Sequence, residues 1–258
     1  MSEISRHLPL SQRPSEPEAK VTGVWSAEIA DVLDRTADLL ASLDADGWEA
    51  ASMCEGWTVR DVAGHIVWRV GASNAAMVRT AVGSLRRRPH LNPMHVMDDL
   101  SADEAARSPE ELVARIRAIA ADKRAGKGRK RLPELLEVVV HGFDIAHALK
   151  ADLELDHRST GAVAVARAAI APAQVRGVLR ARTLRASDAG WSVGHGPAIE
   201  ATASTLIMYL FGRTPRPEGD ATASPDDGTE AHKIRLQRQA AAQIIEDSPA
   251  SARPAAYR

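Results

Sequence analysis

From Val24 onward the chain falls into amphipathic stretches of helical period separated by short polar breaks. Ile29, Val32, Leu33, Thr36, Leu39, Leu40 and Leu43 recur at that spacing with Asp31, Asp34, Arg35 and Asp38 between them, which predicts a core-facing first helix. Thr58 and Asp61 offer a capping box for a second helix, whose apolar side is Val59, Val62, Ala63, Ile66, Val67 and Val70. This helix is expected to run to Leu85, where Arg86-Arg87-Arg88-Pro89 ends it. A third starts at Ser108-Pro109-Glu110-Glu111, which supplies a cap, a proline at the first helical position and a carboxylate at the third. Lys123 to Arg131 reads as a basic loop. Pro133 opens a fourth helix carrying Leu135, Leu136, Val139, Val140, Ile145 and Leu149. Four such helices predict an antiparallel bundle.

Beyond Leu153 the pattern changes. Ser159 to Ala171 reads as helix, Leu179 to Leu184 as a strand with Arg180 and Arg182 outward, Ser187-Asp188-Ala189-Gly190 as a turn, and Trp191-Ser192-Val193 as the returning strand. Ala201 to Phe211 forms a last short helix closed by Gly212. The expected organisation is a mobile leader (1–21), a helical bundle (22–153), a small α/β C-terminal unit (154–214) and a polar tail (215–258), in which Glu230 to Ile245 has the pattern of a frayed helix. The fold class is therefore mainly α.

Composition narrows the function classes. Five Trp, two Tyr and two Phe among 258 residues leave Ala, Leu and Val to build the core, which suits closely packed helices. A formal net charge of -1 gives no global pull toward nucleic acid or a membrane surface, and Lys123 to Arg131 lacks the interleaved aromatics of a nucleic-acid groove. One cysteine, Cys54, excludes an internal disulfide framework. With no signal-like or membrane-spanning stretch, the chain reads as a soluble cytoplasmic protein, monomer or dimer.

Glu137 and His141, four residues apart, share one helix face, and Asp144 joins them: with Glu137 at zero, His141 lies near 40° and Asp144 near -20° at about 100° per residue. His147 falls on the flank. If the second helix packs against the fourth, His65 completes a two-histidine, one-carboxylate set that leaves a position open. Asp144 is either a further ligand or the acceptor that orients an imidazole. The same residues also have plainer readings. A glutamate and histidine four apart occur on helices without metal, a histidine on an apolar face serves as a hydrogen-bonded core residue, and Cys54 fits simple packing. Trp57, just before the His65 helix, is the aromatic best placed to line a pocket.

The string Cys54-Glu55-Gly56-Trp57-Thr58-Val59-Arg60-Asp61-Val62-Ala63-Gly64-His65-Ile66, followed by Glu137-Val138-Val139-Val140-His141-Gly142-Phe143-Asp144-Ile145-Ala146, resembles the mycothiol-dependent maleylpyruvate isomerase family of actinobacteria, one of the DinB-like metal-binding bundles. The resemblance covers roughly residues 24 to 153. A second stretch, Val178 to Arg213, with Asp188-Ala189-Gly190-Trp191-Ser192-Val193-Gly194 and the closing Gly212-Arg213, resembles that family's small C-terminal domain. The resemblance implies zinc on His65, Glu137 and His141, and mycothiol as a thiol cosubstrate. It also implies thiolate addition, either in cis–trans isomerisation of a maleylpyruvate-like substrate or in S-transfer to an electrophile. Trp57 is the expected cofactor contact, and Asp144, Arg180 and Arg182 are the catalytic candidates. The same ligand set would also serve a metal-dependent hydrolase or a non-catalytic metal-binding or sensing module.

Overall fold

A computed structural model describes residues 24–72 and 100–217. The leader, the Arg86 to Pro89 stop and the tail beyond 217, with its Glu230 to Ile245 pattern, lie outside the described residues. The chain is mainly helical: α1 (Ser26–Ala41), α2 (Ala45–Glu49), α3 (Val59–Gly71), α4 (Pro109–Arg124), α5 (Leu132–Leu149), α6 (His157–Ala169), α7 (Ala173–Ala181) and α8 (Ala203–Leu210). A three-stranded sheet, β1 (Thr183–Ala186), β2 (Ser192–Gly194) and β3 (Ala198–Ala201), has the order β2-β1-β3. No described helix is long and apolar enough to cross a membrane.

The starts of α3 and α4 follow from local chemistry. The Thr58 and Ser108 side chains accept from the N–H groups of Asp61 and Glu111, whose carboxylates accept from the cap N–H groups in return. Helices α1, α3, α4 and α5 pack together, α1 and α3 each touching both α4 and α5. Their buried faces form one apolar cluster that includes Ile29, Leu33, Leu40, Val62, Ile66, Leu112, Ile116, Leu135 and Ile145. Residue pairs fix the directions. Asp38 pairs with Arg117 and Asp34 with Arg124, so α1 and α4 are antiparallel. His65 meets Glu137 while Arg69 meets Glu134, so α3 and α5 are antiparallel too. By contrast, α3 and α4 run the same way: Arg60 reaches the Arg107 carbonyl at one end, and Lys123 donates to the Val70 carbonyl (3.0 Å) at the other.

A second cluster, with Leu184, Ile199, Leu206 and Leu210, sits under the sheet, while Val163, Ile207 and Met208 of α6 and α8 pack into the bundle's own cluster. Strand β2 pairs antiparallel with β1 as the turn pattern predicts. Strand β3, which runs parallel to β1, has no counterpart in the sequence reading. Two further expectations are corrected. Leu179 and Arg180 belong to α7, because Val175, Val178 and Leu179 bury a helical face, and β1 starts only at Thr183. Helix α3 stops at Gly71, with Ala72 extended, instead of running to Leu85. A Cβ on Gly71 would lie 2.7 Å from Ile119 Cδ1, so the helix end is pressed onto α4.

Candidate metal centre

The antiparallel seam of α3 and α5 brings His65, Glu137 and His141 together. One donor atom from each lies within 4.8 Å of the others. Glu137 Oε2 stands 3.5 Å from His65 Nε2 and 3.5 Å from His141 Nε2, so one carboxylate oxygen faces both imidazoles through the same ring position. The rings meet edge to face with centroids 4.8 Å apart. His65 is 3% exposed and His141 8%, whereas the Glu137 side chain keeps 26%.

Each group has a partner that fixes its direction. His65 Nδ1 lies 3.0 Å from Ser101 Oγ. That contact depends on Gly64: a Cβ there would lie 2.7 Å from the Ser101 carbonyl oxygen, so only glycine lets the helical residues 100–105 lie this close to α3. His141 Nδ1 donates to Asp144 Oδ2 at 2.9 Å. Asp144 therefore sits on the far side of the ring from Glu137, as an orienting acceptor. Arg69, one turn beyond His65, binds Glu137 Oε1 at 3.2 Å and leaves Oε2 to the histidines. Glu134, 5% exposed, forms an ion pair with Arg129 (3.3 Å) and anchors the other side of this charge network.

Cys54 and Trp57 arrive on the turn before α3. Gly56 takes a left-handed φ of 77° there, and Trp57 N–H donates to the Cys54 carbonyl at 3.0 Å. The turn places the Trp57 ring 5.2 Å from His65 and sends the Cys54 thiol inward, where it donates to Asp144 Oδ2 at 3.1 Å. Arg213 completes this side. Its N–H donates to the Met208 carbonyl and that of Gly212, left-handed at φ 76°, to the Tyr209 carbonyl, the Schellman closure of α8. The guanidinium Nε then donates to Asp144 Oδ1 at 3.0 Å.

The electrostatics follow from these contacts. Burial pulls the His65 pKa below the ordinary histidine value, a pull that Glu137 only partly offsets. Burial acts the same way on His141, but its contacts with Asp144, Cys54 and Glu137 outweigh it and hold the pKa well above the ordinary value. Burial would raise the Glu137 and Asp144 carboxyls; hydrogen bonds from His141 (and, for Glu137, His65) win, and both stay below the ordinary carboxylate range.

The other sequence candidates stand apart. Arg180 is exposed on α7 and Arg182 caps that helix; among the described residues neither is joined to the trio by a hydrogen bond or ion pair. His147 lines a separate cavity of about 900 Å³ with Lys150, Asp152, Glu154, Asp156 and Asp188. Of the residues not anticipated, Arg69 was visible one turn after His65. Ser101 and the aim of Arg213 depend on tertiary approach and leave no local signal.

Residues 29–127 match the family model described as "Mycothiol maleylpyruvate isomerase N-terminal domain", the same family that the motifs resemble. Two similar solved structures are those of the mycothiol-dependent maleylpyruvate isomerase and of a histidine-to-alanine mutant of that enzyme. Each is 13% identical over 86% of this chain and 97% of the other, with TM-scores of 0.45 and 0.44. No curated protein matches this chain.

Proposed function

We propose that this chain is a metal-dependent enzyme of thiol chemistry. It holds one divalent ion, zinc first, on His65 Nε2, His141 Nε2 and Glu137 Oε2, and uses mycothiol to isomerise a maleylpyruvate-like substrate. The observation that carries the reading is the convergence of those three atoms, each with its opposite side already engaged by Ser101, Asp144 or Arg69. Two imidazoles and a carboxylate are a zinc-type donor set, and three protein ligands leave room for a fourth from solution. A dication held by His65, Glu137 and His141 would lower the pKa of a bound thiol and so would supply a thiolate at neutral pH.

The side chains divide the remaining work. Asp144 fixes the His141 tautomer, with its proton on Nδ1 and the lone pair on Nε2. Arg69 orients Glu137 and neutralises part of its charge. Trp57 lays its ring against that of His65, 5.2 Å between centroids. The reaction itself needs no redox partner. The thiol would supply a nucleophile that adds to one alkene carbon while the electron pair passes to the conjugated carbonyl, and that leaves again, after rotation about the single bond, as the double bond re-forms. S-transfer to a different electrophile would share the first step.

The test is turnover of maleylpyruvate by zinc-loaded protein with and without mycothiol. Formation of the trans isomer that requires both thiol and metal is expected. Turnover that a chelator abolishes but that ignores the thiol would overturn this reading in favour of hydrolysis, the other chemistry open to this ligand set.

A further inference from the structure

His141 faces two donor clusters, not one. Through Nε2 it meets Glu137 and His65; through Nδ1 it belongs to a second group with Cys54 Sγ and Asp144, whose ligand atoms also lie within 4.8 Å of one another. A thiol, a carboxylate and an imidazole form a softer set, at least as attractive to zinc or cobalt as the first. Something must decide between them.

Each cluster has its own arginine, and the two are placed differently. Arg69 grips Glu137 through Oε1, so Oε2 still faces both histidines. Arg213 instead lies across its whole cluster. Its Nε is 3.0 Å from Asp144 Oδ1, and its terminal nitrogen is 3.3 Å from Asp144 Oδ2 and 3.2 Å from Cys54 Sγ. Asp144 is fully buried, and its four bonds from His141, Cys54 and Arg213 engage both of its oxygens. A guanidinium never loses its charge, so an incoming dication would meet a fixed positive group already bonded to the sulfur and to both oxygens.

We propose that Arg213 is a specificity-determining residue that fills the Cys54–Asp144–His141 cluster with its own cation and so directs the metal to the Nε2 side of His141. The inference rests on the metal reading above. It also gives the segment after α8, beyond the bundle, control over which donors the bundle offers.

Cobalt(II) titration of the full chain tests it, because a cobalt–thiolate bond has an intense charge-transfer band in the near ultraviolet that imidazole and carboxylate ligands lack. Wild-type protein should bind cobalt without that band, and Cys54→Ser should bind cobalt with the same spectrum as the wild type. Arg213→Met should develop the band, and adding Cys54→Ser should remove it. Since removing a partner of a buried charge can destabilise the fold, Arg213→Gln, which keeps donors for Asp144 without the charge, is the parallel variant with the same expected outcome, and circular dichroism checks both. A thiolate band in the wild type would overturn the proposal. So would cobalt bound without the band in a folded Arg213→Met or Arg213→Gln protein. No cobalt uptake by the wild type would instead sink the metal centre itself.

Discussion

The α3–α5 seam and the cavity near the C-terminal end of α5 contain much the same chemistry, histidines and carboxylates, yet among the described residues the seam brings donors to a point and the cavity does not. In the seam, Glu137 Oε2 stands 3.5 Å from each of two histidine nitrogens, and a second partner holds every donor group from behind. In the cavity, about 900 Å³ in volume, Asp152, Glu154, Asp156 and His157 are exposed, and none of its residues falls in a metal-capable group among those described. Volume therefore does not locate the chemistry here. What separates the regions is backbone approach. Gly64 lets residues 100–105 press onto α3, and the turn at Gly56 seats Trp57 and Cys54, whereas the cavity's Asp152, Glu154 and Asp156 alternate along an irregular stretch outside any helix.

Breaking the seam should have the largest effect. His65→Ala or Glu137→Ala should weaken zinc binding by more than about 100-fold, beyond what the loss of an orienting partner causes. Asp152→Ala in the cavity should leave it unchanged; isothermal titration reads both. Next in size are the supports: Asp144→Asn should cost about 10–100-fold in affinity, and Ser101→Ala should fall toward the lower end of that range. Equal effects from Asp152→Ala and Asp144→Asn would erase the contrast.

The pH dependence of binding is a smaller and more specific test. Contacts with Asp144, Cys54 and Glu137 outweigh burial and raise the His141 pKa well above 6.5, so in metal-free protein a metal ion must displace its proton. Zinc affinity should therefore rise with pH through the neutral range, by up to about tenfold per pH unit for each proton released, and level off above the raised pKa. A flat profile would mean that His141 does not exchange its proton for metal. The smallest effect belongs to the cavity. Lys150 closes α5 in a left-handed conformation (φ 53°), so Lys150→Gly should stabilise the fold by about 0.5–1 kcal/mol in thermal melts without altering zinc binding.

What could be read in the sequence was what neighbouring residues determine. The Thr58–Asp61 and Ser108–Glu111 boxes fix two helix starts, and the four-residue step from Glu137 to His141 fixes a shared face whatever surrounds it. His65 needed one assumption, that α3 packs on α5, which the apolar faces of both helices supported. Where distant segments compete, local pattern failed. Leu179 to Leu184 has a strand-like alternation of apolar residues and arginines, but Val175, Val178 and Leu179 also lie on a helical face, and packing under the sheet selects the helix. Arg69 joins Glu137, and a second cation joined to the site's carboxylates, likewise not singled out from the sequence, is Arg213. Its aim is set by the closure of α8 and by a carboxylate 69 positions earlier in the chain.

The central claim is that one metal ion sits where Glu137 faces both histidines. Metal content by mass spectrometry of protein purified without a tag or added metal tests it most directly, on wild type alongside folded Glu137→Ala and His65→Ala variants. The account predicts about one zinc per wild-type chain and essentially none in either variant, as expected when one of three protein ligands is removed. Full metal retention in both variants, or a wild type that neither contains nor takes up metal, would contradict it.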